Sequence, residues 1–327
     1  TVQPISVTGF PVAAFSCTTV CAGNVTQFTN GSTPAAGDPI VSWNWSFPSG
    51  NPASSASQNP TVTFPSGNFA ATLTVTSQTG CTSTFTQAVT VNPRPLANLS
   101  GNNVCFNTIT SFTDLSTGNN TITGWNWNMP GGTPATSTSQ NPSTTYGSAG
   151  TFTVTLIITN NFGCLDTNSI TVTVNPLPVA SFSSTTVCFG TPTCFANLST
   201  ISSGSITGWS WNFGDPNSGP LNISNLQTPP CHTFTSPGNY TVTLTVTSNS
   251  LCQSTTMLPV AFGPPPVAAF TSINVCLNAQ TTFTDSSTAS SVDPLNVWNW
   301  NFGDGSPNSA QTNPVHVYTA AGTYTVT

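Results

Sequence analysis

The stretch VWNWNFGDGSPN, residues 297–308, holds two tryptophans one residue apart, followed by Phe and a Gly-Asp-Gly turn. Three related stretches precede it: SWNWSFPSGNP from residue 42, GWNWNMPGGTP from 124 and GWSWNFGDPNS from 208. The second tryptophan of each stretch stands at 45, 127, 211 and 300, so the spacings are 82, 84 and 89 residues. Regular self-similarity at this period predicts a tandem array of independently folding repeats.

Each repeat shows the two-residue period of β-strands and no helical period. In the first repeat we predict strands at 11–16, 25–30, 41–47, 61–64, 69–77 and 83–91. About seven short strands in about 85 residues are typical of an antiparallel β-sandwich. Residues i and i+2 of a strand face the same side, so Val41, Trp43, Trp45 and Phe47 are predicted to form one buried stripe. The second tryptophans are therefore predicted core residues: Trp45, Trp127, Trp211 and Trp300. For the first tryptophan of each pair, burial and a partly exposed stacking surface both remain open.

Proline-rich segments separate the repeats, at 91–97, 174–180 and 262–268. Because proline fixes φ and favours extended backbone, these joints predict stiff connections and an extended rod. The predicted division is a last strand of a preceding repeat at 1–9, followed by repeats at 10–93, 94–176, 177–265 and 266–327, the fourth lacking its C-terminal part. We expect the sequence to be a portion of a longer chain.

Charged residues are nearly absent. Arg94 is the only basic residue, the acidic residues are seven Asp, and charged residues make up 2% of the 327. One arginine cannot neutralise a phosphate backbone, which excludes nucleic acid as a partner. No apolar run reaches the length that spans a bilayer, so direct membrane insertion is not expected either. The 36% hydrophobic content with eight Trp and 20 Phe predicts folded cores and argues against disorder.

The ten cysteines follow the repeat. One disulfide within each repeat would join cysteines 60, 59 and 64 residues apart, and we predict three such pairs: Cys21–Cys81, Cys105–Cys164 and Cys188–Cys252. Cys194 and Cys231 occur only in the third repeat and are predicted to pair with each other. Cys17 and Cys276 have no predicted partner in this sequence. Disulfides place the protein in an oxidising, extracellular or cell-surface setting, and the absence of any C-x-x-C argues against zinc.

The segment WNFGDGSPNSAQTNPVHVYTAAGTYTVT (300–327) strongly resembles the signature of the PKD (polycystic kidney disease-type) repeat. The third repeat contains the same elements, WNFGDP and HTFTSPGNYTVTLTVTSNSLC (232–252), whereas the first two keep the frame without the Asp. The resemblance implies immunoglobulin-like sandwiches that act as spacers and contact modules in adhesins, secreted hydrolases and long bacterial surface proteins.

Some members of that family are thought to hold calcium near the Gly-Asp turn, where Asp215 and Asp304 stand here. No second carboxylate is near in sequence, so we expect each Asp to accept backbone N–H bonds and predict no metal site and no cofactor. His232 and His316 occupy equivalent positions, replaced in the other repeats by Thr63 and by Thr144 or Thr145. A residue that recurs at one place in an array indicates architecture, and no catalytic motif is present, so we predict no enzyme activity.

A surface of Thr, Ser, Asn and Gln with so little charge needs another source of solubility. Glycosylation is one, and eight N-x-S/T triplets are candidates: Asn24, Asn30, Asn44, Asn98, Asn119, Asn197, Asn222 and Asn239. Association with other copies of the protein is the other.

These observations favour a non-catalytic structural or adhesive module of an extracellular fibre, glycosylated and in contact with other repeats or copies. The alternative is a carbohydrate-contacting spacer of a secreted hydrolase, with the outer tryptophans stacking on extracellular glycans. A third interpretation is a homophilic adhesin that pairs through edge strands.

Overall fold

The computed structural model describes residues 2–3, 5, 7–185 and 187–327. The described chain is almost entirely β, with one short 3-10 helix, which confirms the predicted all-β fold of tandem immunoglobulin-like sandwiches. It divides into two compact units, Thr1–Asn175 and Pro176–Thr327, and each contains two repeats. Among the described residues, no helix combines the length and apolarity required to cross a membrane.

The first repeat contains eight strands in its described part: β1 (Phe15–Cys17), β2 (Val20–Cys21), β3 (Val25–Asn30), β4 (Ile40–Ser46), β5 (Ser54–Ser55), β6 (Thr61–Thr63), β7 (Gly67–Ser77) and β8 (Thr82–Asn92). They form two facing sheets, ordered β1-β3-β6 and β2-β8-β7-β4-β5. All pairs are antiparallel except β2 with the end of β8, which is parallel.

The second repeat has the same plan. Its strands are β9 (Leu99–Gly101), β10 (Val104–Cys105), β11 (Thr110–Asp114), β12 (Ile122–Asn128), β13 (Gly132–Thr133), β14 (Thr136–Ser137), β15 (Ser143–Tyr146), β16 (Gly150–Asn160) and β17 (Leu165–Asn175). The sheets are ordered β13-β15-β11-β9 and β10-β17-β16-β12-β14, so β10 again lies beside the end of the last strand.

The second unit contains the third and fourth repeats. The third is built from β18 (Phe182–Ser184), β19 (Phe195–Asn197), β20 (Ile206–Asn212), a 3-10 helix (Pro216–Asn222), β21 (Ile223–Ser224), β22 (Gly238–Ser248) and β23 (Gln253–Phe262). Its sheets are β18-β19 and β21-β20-β22-β23. The fourth repeat has one three-stranded sheet of β24 (Phe270–Ser272), β25 (Gln280–Asp285) and β26 (Val315–Val317).

An aromatic core fills each sandwich, centred on the second tryptophan of the pair. All four of these tryptophans are buried: Trp45, Trp127, Trp211 and Trp300. In the first repeat the Trp45 ring lies 5.6 Å from Phe47 and 5.5 Å from Phe28, which projects from the opposite sheet. Complete burial of a tryptophan side chain stabilises such a small domain by about 3 kcal/mol.

The predicted apolar stripe on β4 is wrong at one end. Val41 is 55% exposed, whereas Trp45 and Phe47 are buried. The register between β4 and β7 shifts between Ile40 and Ser42, so Val41 lies in a bulge. A bulge changes which side of the strand the following side chains face, and Val41 therefore leaves the core.

The long hairpin of each complete repeat carries hydroxyl pairs on its outer face. Thr72 and Thr86 are 2.9 Å apart, and the neighbouring pair of Thr74 and Thr84 is 3.1 Å apart. The second and third repeats have similar pairs, Thr155 with Ser169 and Thr245 with Thr255. Cross-strand threonine pairs stabilise a sheet without charge, which explains how a solvent-facing surface forms with almost no ionic side chains.

Residues 2, 3, 5 and 7–9 belong to no strand in the structure, and residues 1, 4 and 6 lie outside the described part, so the assignment of 1–9 to the last strand of a preceding repeat stays a prediction. A strand needs a hydrogen-bonded neighbour, and the regular pairing of the first repeat begins only at β1, after an isolated bridge between Val12 and Thr33.

Candidate functional site

The joint between the first two repeats is held by a disulfide. Cys21 of the first repeat is bonded to Cys164 of the second, with 143 residues between them in sequence and a Cα–Cα distance of 5.7 Å. The predicted pairs Cys21–Cys81 and Cys105–Cys164 are therefore wrong. The bond crosses from one repeat to the next and does not close a loop within either.

Strand geometry explains the error. Cys21 pairs with Asn92 at the end of β8, whereas Cys81 immediately precedes the start of β8 at Thr82. At about 3.3 Å per residue, the two ends of this strand are about 33 Å apart. A disulfide requires Cα atoms within about 7 Å, so Cys21 and Cys81 cannot meet. The first cysteine lies at the end where the linker leaves, and the next repeat supplies its partner.

Arg94, the single basic residue, braces the same joint. Its Nε donates to the Ala22 carbonyl at 2.7 Å and its Nη2 to Asn24 Oδ1 at 2.8 Å, both in the first repeat. Its Nη1 donates to the carbonyl of Leu165, beside Cys164 in the second repeat, at 3.3 Å. The planar guanidinium has donors in a fixed geometry, so one side chain ties the two repeats together.

The linker backbone is held as well. Asn160, buried at the turn before Cys164, donates from Nδ2 to the Pro93 carbonyl at 3.0 Å. Its Oδ1 accepts from the amide of Cys164 at 2.9 Å. One buried amide side chain thus joins the linker to the disulfide turn, and the joint is fixed covalently and by hydrogen bonds.

The remaining cysteines fall into two groups. Cys194 and Cys231 form a disulfide within the third repeat, 37 residues apart, and Cys105 and Cys252 are also disulfide-bonded. Four cysteines are free in the structure: Cys17, Cys81, Cys188 and Cys276. The prediction that Cys81 and Cys188 form disulfides within their own repeats, with Cys21 and Cys252, is therefore wrong. Burial raises the pKa of the free Cys17 thiol.

A second candidate site is the Gly-Asp turn of the third repeat. Asp215 is 1% exposed; its Oδ1 accepts from Thr235 Oγ1 at 2.6 Å and its Oδ2 from the Thr235 amide at 2.9 Å. His232 Nε2 lies 3.2 Å from Oδ2, and its ring stacks on Phe213 at 4.5 Å. Burial raises the pKa of Asp215, but the hydrogen bonds from Thr235 and His232 outweigh it, and the pKa lies below its ordinary value.

The fourth repeat contains the same pair in a more exposed form. Asp304 Oδ2 lies 2.7 Å from His316 Nε2, and Oδ1 accepts from the Ser306 amide at 3.1 Å. The His316 ring stacks on Phe302 at 4.2 Å. Hydrogen bonds from Ser306 and His316 lower the pKa of Asp304 to about 2. Asp304 thus bonds to its own turn through Ser306, Asp215 bonds to the more distant Thr235, and each carboxylate lies beside the histidine of its repeat.

Strand register corrects the predicted equivalent of the histidines in the first repeat, Thr63, and selects Thr144 from the two positions predicted in the second. His232 and His316 lie opposite Thr193 and Thr281, and Thr144 lies opposite Thr110 in the same way. In the first repeat the residue opposite the corresponding Thr26 is Val62. The equivalent positions are therefore Val62 and Thr144, one residue before Thr63 and Thr145. A slip of one residue exchanges the faces of a strand, which the sequence alignment did not resolve.

The first tryptophans of the pairs are half-buried and pack against their cores: Trp43, Trp125, Trp209 and Trp298. Two of them are oriented by a carboxylate. Trp125 Nε1 donates to Asp114 Oδ2 at 2.7 Å, and Trp298 Nε1 donates to Asp285 Oδ2 at 3.0 Å. Each ring is fixed in place and leaves part of its surface open to solvent.

The glycosylation candidates differ in exposure. Five are exposed: Asn24, Asn44, Asn98, Asn119 and Asn239. The other three, Asn30, Asn197 and Asn222, are half-buried and accept backbone amides through Oδ1. Asn24 also accepts from Arg94, so it belongs to the joint.

The ionisable side chains form no larger constellation in the part of the chain that the structure describes. No group of three or more His, Cys, Asp or Glu is placed there to hold a metal ion. The Asp-His pairs contain one carboxylate each, and the hydroxyl and the amide of Thr235 occupy both carboxylate oxygens of Asp215.

The chain matches a family model described as PKD domain four times, at residues 10–93, 92–174, 175–260 and 263–327. Among solved structures, the PKD1 domain of Vibrio anguillarum Epp is 28% identical over 27% of this chain and 95% of its own, with a TM-score of 0.24. The PKD1 domain of the Vibrio cholerae metalloprotease PrtV is 32% identical over 25% of this chain and 98% of its own, with a TM-score of 0.22.

Proposed function

This chain belongs to the PKD domain family, and we propose that it is a structural spacer of an extracellular or cell-surface fibre, stiffened by a disulfide between its first two repeats. PKD domains are typically non-catalytic extracellular modules of bacterial surface or secreted proteins. The observation that carries the proposal is the Cys21–Cys164 bond with its Arg94 brace. A connection of this kind limits the relative motion of two neighbouring repeats, which a spacer needs and an isolated binding module does not.

The disulfide also sets how far the chain can extend under tension. A pulling force on the two termini passes through the Cys21–Cys164 bond and leaves the intervening residues unloaded. With 143 residues bypassed at about 3.5 Å each, at least about 500 Å of contour length is locked. A fibre built this way resists being drawn out even when a single repeat loses its fold.

Single-molecule force extension of the 327-residue chain tests this role. We expect the fully unfolded, oxidised chain to be shorter than the reduced chain by at least about 500 Å. A Cys21→Ser, Cys164→Ser double variant, measured beside Cys17→Ser as a control for loss of a thiol, should unfold its first two repeats at lower force than the control. Equal contour lengths before and after reduction would contradict the proposal.

Glycosylation and adhesion are the finer parts of the proposal. Four exposed triplet asparagines outside the joint and the outer threonines offer attachment sites on a surface with little charge: Asn44, Asn98, Asn119 and Asn239. Intact mass of the native protein tests this part, because bare polypeptide mass would exclude covalent sugar. The disulfides support an oxidising, extracellular location.

Contact with extracellular polysaccharide is a second candidate function. One observation favours it: Trp209 lines a shallow cleft together with the polar side chains of Asn197, Thr200 and Gln227. An aromatic edge beside amide and hydroxyl groups is the usual composition of a sugar-contacting surface. Polysaccharide binding that is lost in Gln227→Ala and kept in the exposed control Gln253→Ala would establish it. No binding by the unmodified chain would remove this candidate.

A further inference from the structure

Each repeat has an Asn or an Asp at one fixed position, the last residue of a short strand: Asn30, Asp114, Asn197 and Asp285. These four residues pair with the first residues of β1, β9, β18 and β24, so their positions are equivalent. In all four, Oδ1 accepts the amide of the serine two residues later, at 3.0 to 3.1 Å. The side chain is therefore held in one orientation, and only the chemistry of its second polar atom differs.

In the second repeat this second atom is an acceptor. Asp114 Oδ2 accepts from Trp125 Nε1 at 2.7 Å and from Gln140 Nε2 at 3.2 Å, and the fourth repeat has the same contact with its first tryptophan. Burial raises the pKa of Asp114, but the hydrogen bonds from Ser116, Trp125 and Gln140 outweigh it, and the pKa lies below its ordinary value. An indole N–H and a primary amide thus hold a carboxylate in its charged form without any cation.

In the third repeat the second atom is a donor. Because Oδ1 of Asn197 accepts the amide of Ser199, its Nδ2 takes the place of the aspartate oxygen. Trp209 Nε1 is buried and has no hydrogen-bond partner in the part of the chain that the structure describes. Gln227 corresponds to Gln140, since both stand two residues before a proline. The third repeat therefore keeps the donors of the second repeat and lacks its acceptor.

A cleft of about 270 Å³ lies at these donors. Asn197, Trp209 and Gln227 line it together with the hydroxyl-bearing side chains of Ser199 and Thr200. A buried N–H without a partner destabilises the fold, so a ligand that supplies the acceptor is favoured. A carboxylate has two acceptor oxygens and no donor of its own, which matches a group of donors better than a hydroxyl does.

We propose that this cleft binds the carboxylate of a uronic acid residue in an acidic extracellular polysaccharide, with Trp209 Nε1, Asn197 Nδ2 and Gln227 Nε2 as the donors. This rests on the polysaccharide contact proposed above as the second candidate function, and it names the ligand class. A carboxylate on another protein would satisfy the same donors. The hydroxyl groups of Ser199 and Thr200 and the aromatic edge favour a sugar, whose ring carries hydroxyls beside the carboxylate.

The test is an NMR titration of the full 327-residue chain with oligogalacturonate, followed at the indole Nε1–H resonance of Trp209. A resonance-specific measurement is needed because Trp43 Nε1 in the first repeat is also buried without a partner among the described residues. The matched probe is the methyl ester of the same oligosaccharide, which keeps the sugar and removes the charge. We expect the acid to shift the resonance and the ester to bind at least about tenfold more weakly.

Two substitutions exchange the chemistry of the two repeats. Asn197→Asp supplies an internal acceptor to Trp209 and should weaken binding of the acid at least about tenfold. Asp114→Asn removes the internal acceptor in the second repeat and should make the Trp125 resonance respond to the acid. The control Asn239→Asp adds the same charge at an exposed position of the third repeat and should leave binding unchanged.

Three outcomes would overturn the proposal: no shift of the Trp209 resonance with the acid, unchanged affinity in Asn197→Asp, or tighter binding of an aspartate-containing peptide than of the sugar. Equal binding of acid and ester would remove carboxylate recognition and leave polysaccharide contact standing. Binding of neither probe at any resonance would count against both. The spacer role is tested separately, because it depends on Cys21–Cys164, which none of these variants touches.

Discussion

The turn that follows the tryptophan pair is built in two ways within one molecule. In the third repeat Gly214, with a φ of 74°, lets the backbone of the turn lie close to the Thr241 carbonyl. The side chain of the next residue, Asp215, then reaches His232. In the first repeat the turn instead brings Gly50 against Val62, where an added Cβ would lie 2.7 Å from the valine. One version closes with a hydrogen-bonded pair of Asp215 and His232, and the other with direct apolar packing.

The two versions stand on the same aromatic core. Phe213 packs on Phe195 at 5.3 Å beneath the charged turn, and Phe47 packs on Phe28 at 4.7 Å beneath the apolar one. The sandwich therefore fixes where the turn lies, and the turn chemistry can change as long as its buried groups are satisfied. We therefore predict that substitutions in the core destabilise the first and third repeats equally, and that substitutions in the turn destabilise them unequally.

The largest effect is expected in the shared core. Trp45→Ala and Trp211→Ala should each destabilise their own repeat by about 3–5 kcal/mol, because both rings are fully buried and leave a large cavity. Hydrogen exchange with mass spectrometry on each repeat measures both losses in the full chain. A cost much lower in one repeat than in the other would break the claim that the cores are equivalent.

The charged turn should be more sensitive than the apolar one. Asp215→Ala removes the acceptor of the Thr235 hydroxyl and amide and of His232, and we expect a loss of about 2–3 kcal/mol in the third repeat. The exposed Asp293→Ala serves as the carboxylate control and should cost less than about 0.5 kcal/mol. Local hydrogen exchange of residues 213–235 is the measurement, and equal effects of the two variants would contradict the structural role of Asp215.

A smaller loss of stability is expected from substitutions that test the strand register at positions 62 and 63. Val62→Thr places a hydroxyl at a buried position packed against Gly50 and should cost about 1 kcal/mol. Thr63→Val, at the half-buried neighbouring position, should change stability by less than about 0.5 kcal/mol. If Thr63→Val proved the more damaging change, the equivalence of Val62 with His232 would be wrong.

The smallest expected effect is the loss of stability of the fourth repeat at acidic pH. The pKa of Asp304, about 2, lies below that of an unfolded aspartate, so the native state binds fewer protons and stability falls as pH falls. The loss should begin near about pH 4 and be complete below about pH 2. Asp304→Asn should flatten the dependence in the fourth repeat and leave that of the first repeat unchanged, as measured by exchange protection corrected for intrinsic rate. An unchanged slope in the fourth repeat would remove Asp304 as a source of acid sensitivity.

Much of the fold was predictable because its signals are local. The two-residue alternation of Thr with Val, Leu and Ile predicted the long hairpins, and β7 and β8 extend at most two residues beyond the predicted ends. The spacing of the tryptophan pairs predicted the repeats, and the second tryptophans are buried as expected. The bulge that exposes Val41 carries no composition signal and was missed.

The sequence by itself determined the array, the strand character and the aromatic cores, since period, turn residues and ring size act within a few residues of where they stand. Only the tertiary structure decided which cysteines meet. Cys21 is 60 residues from Cys81 and 143 from Cys164. The length of β8 nevertheless separates Cys21 from Cys81, whereas the joint between the repeats brings Cys164 into contact with Cys21. Separation along the chain does not predict distance across a rigid sheet. For the same reason, only the tertiary structure shows that Arg94 donates hydrogen bonds to both repeats.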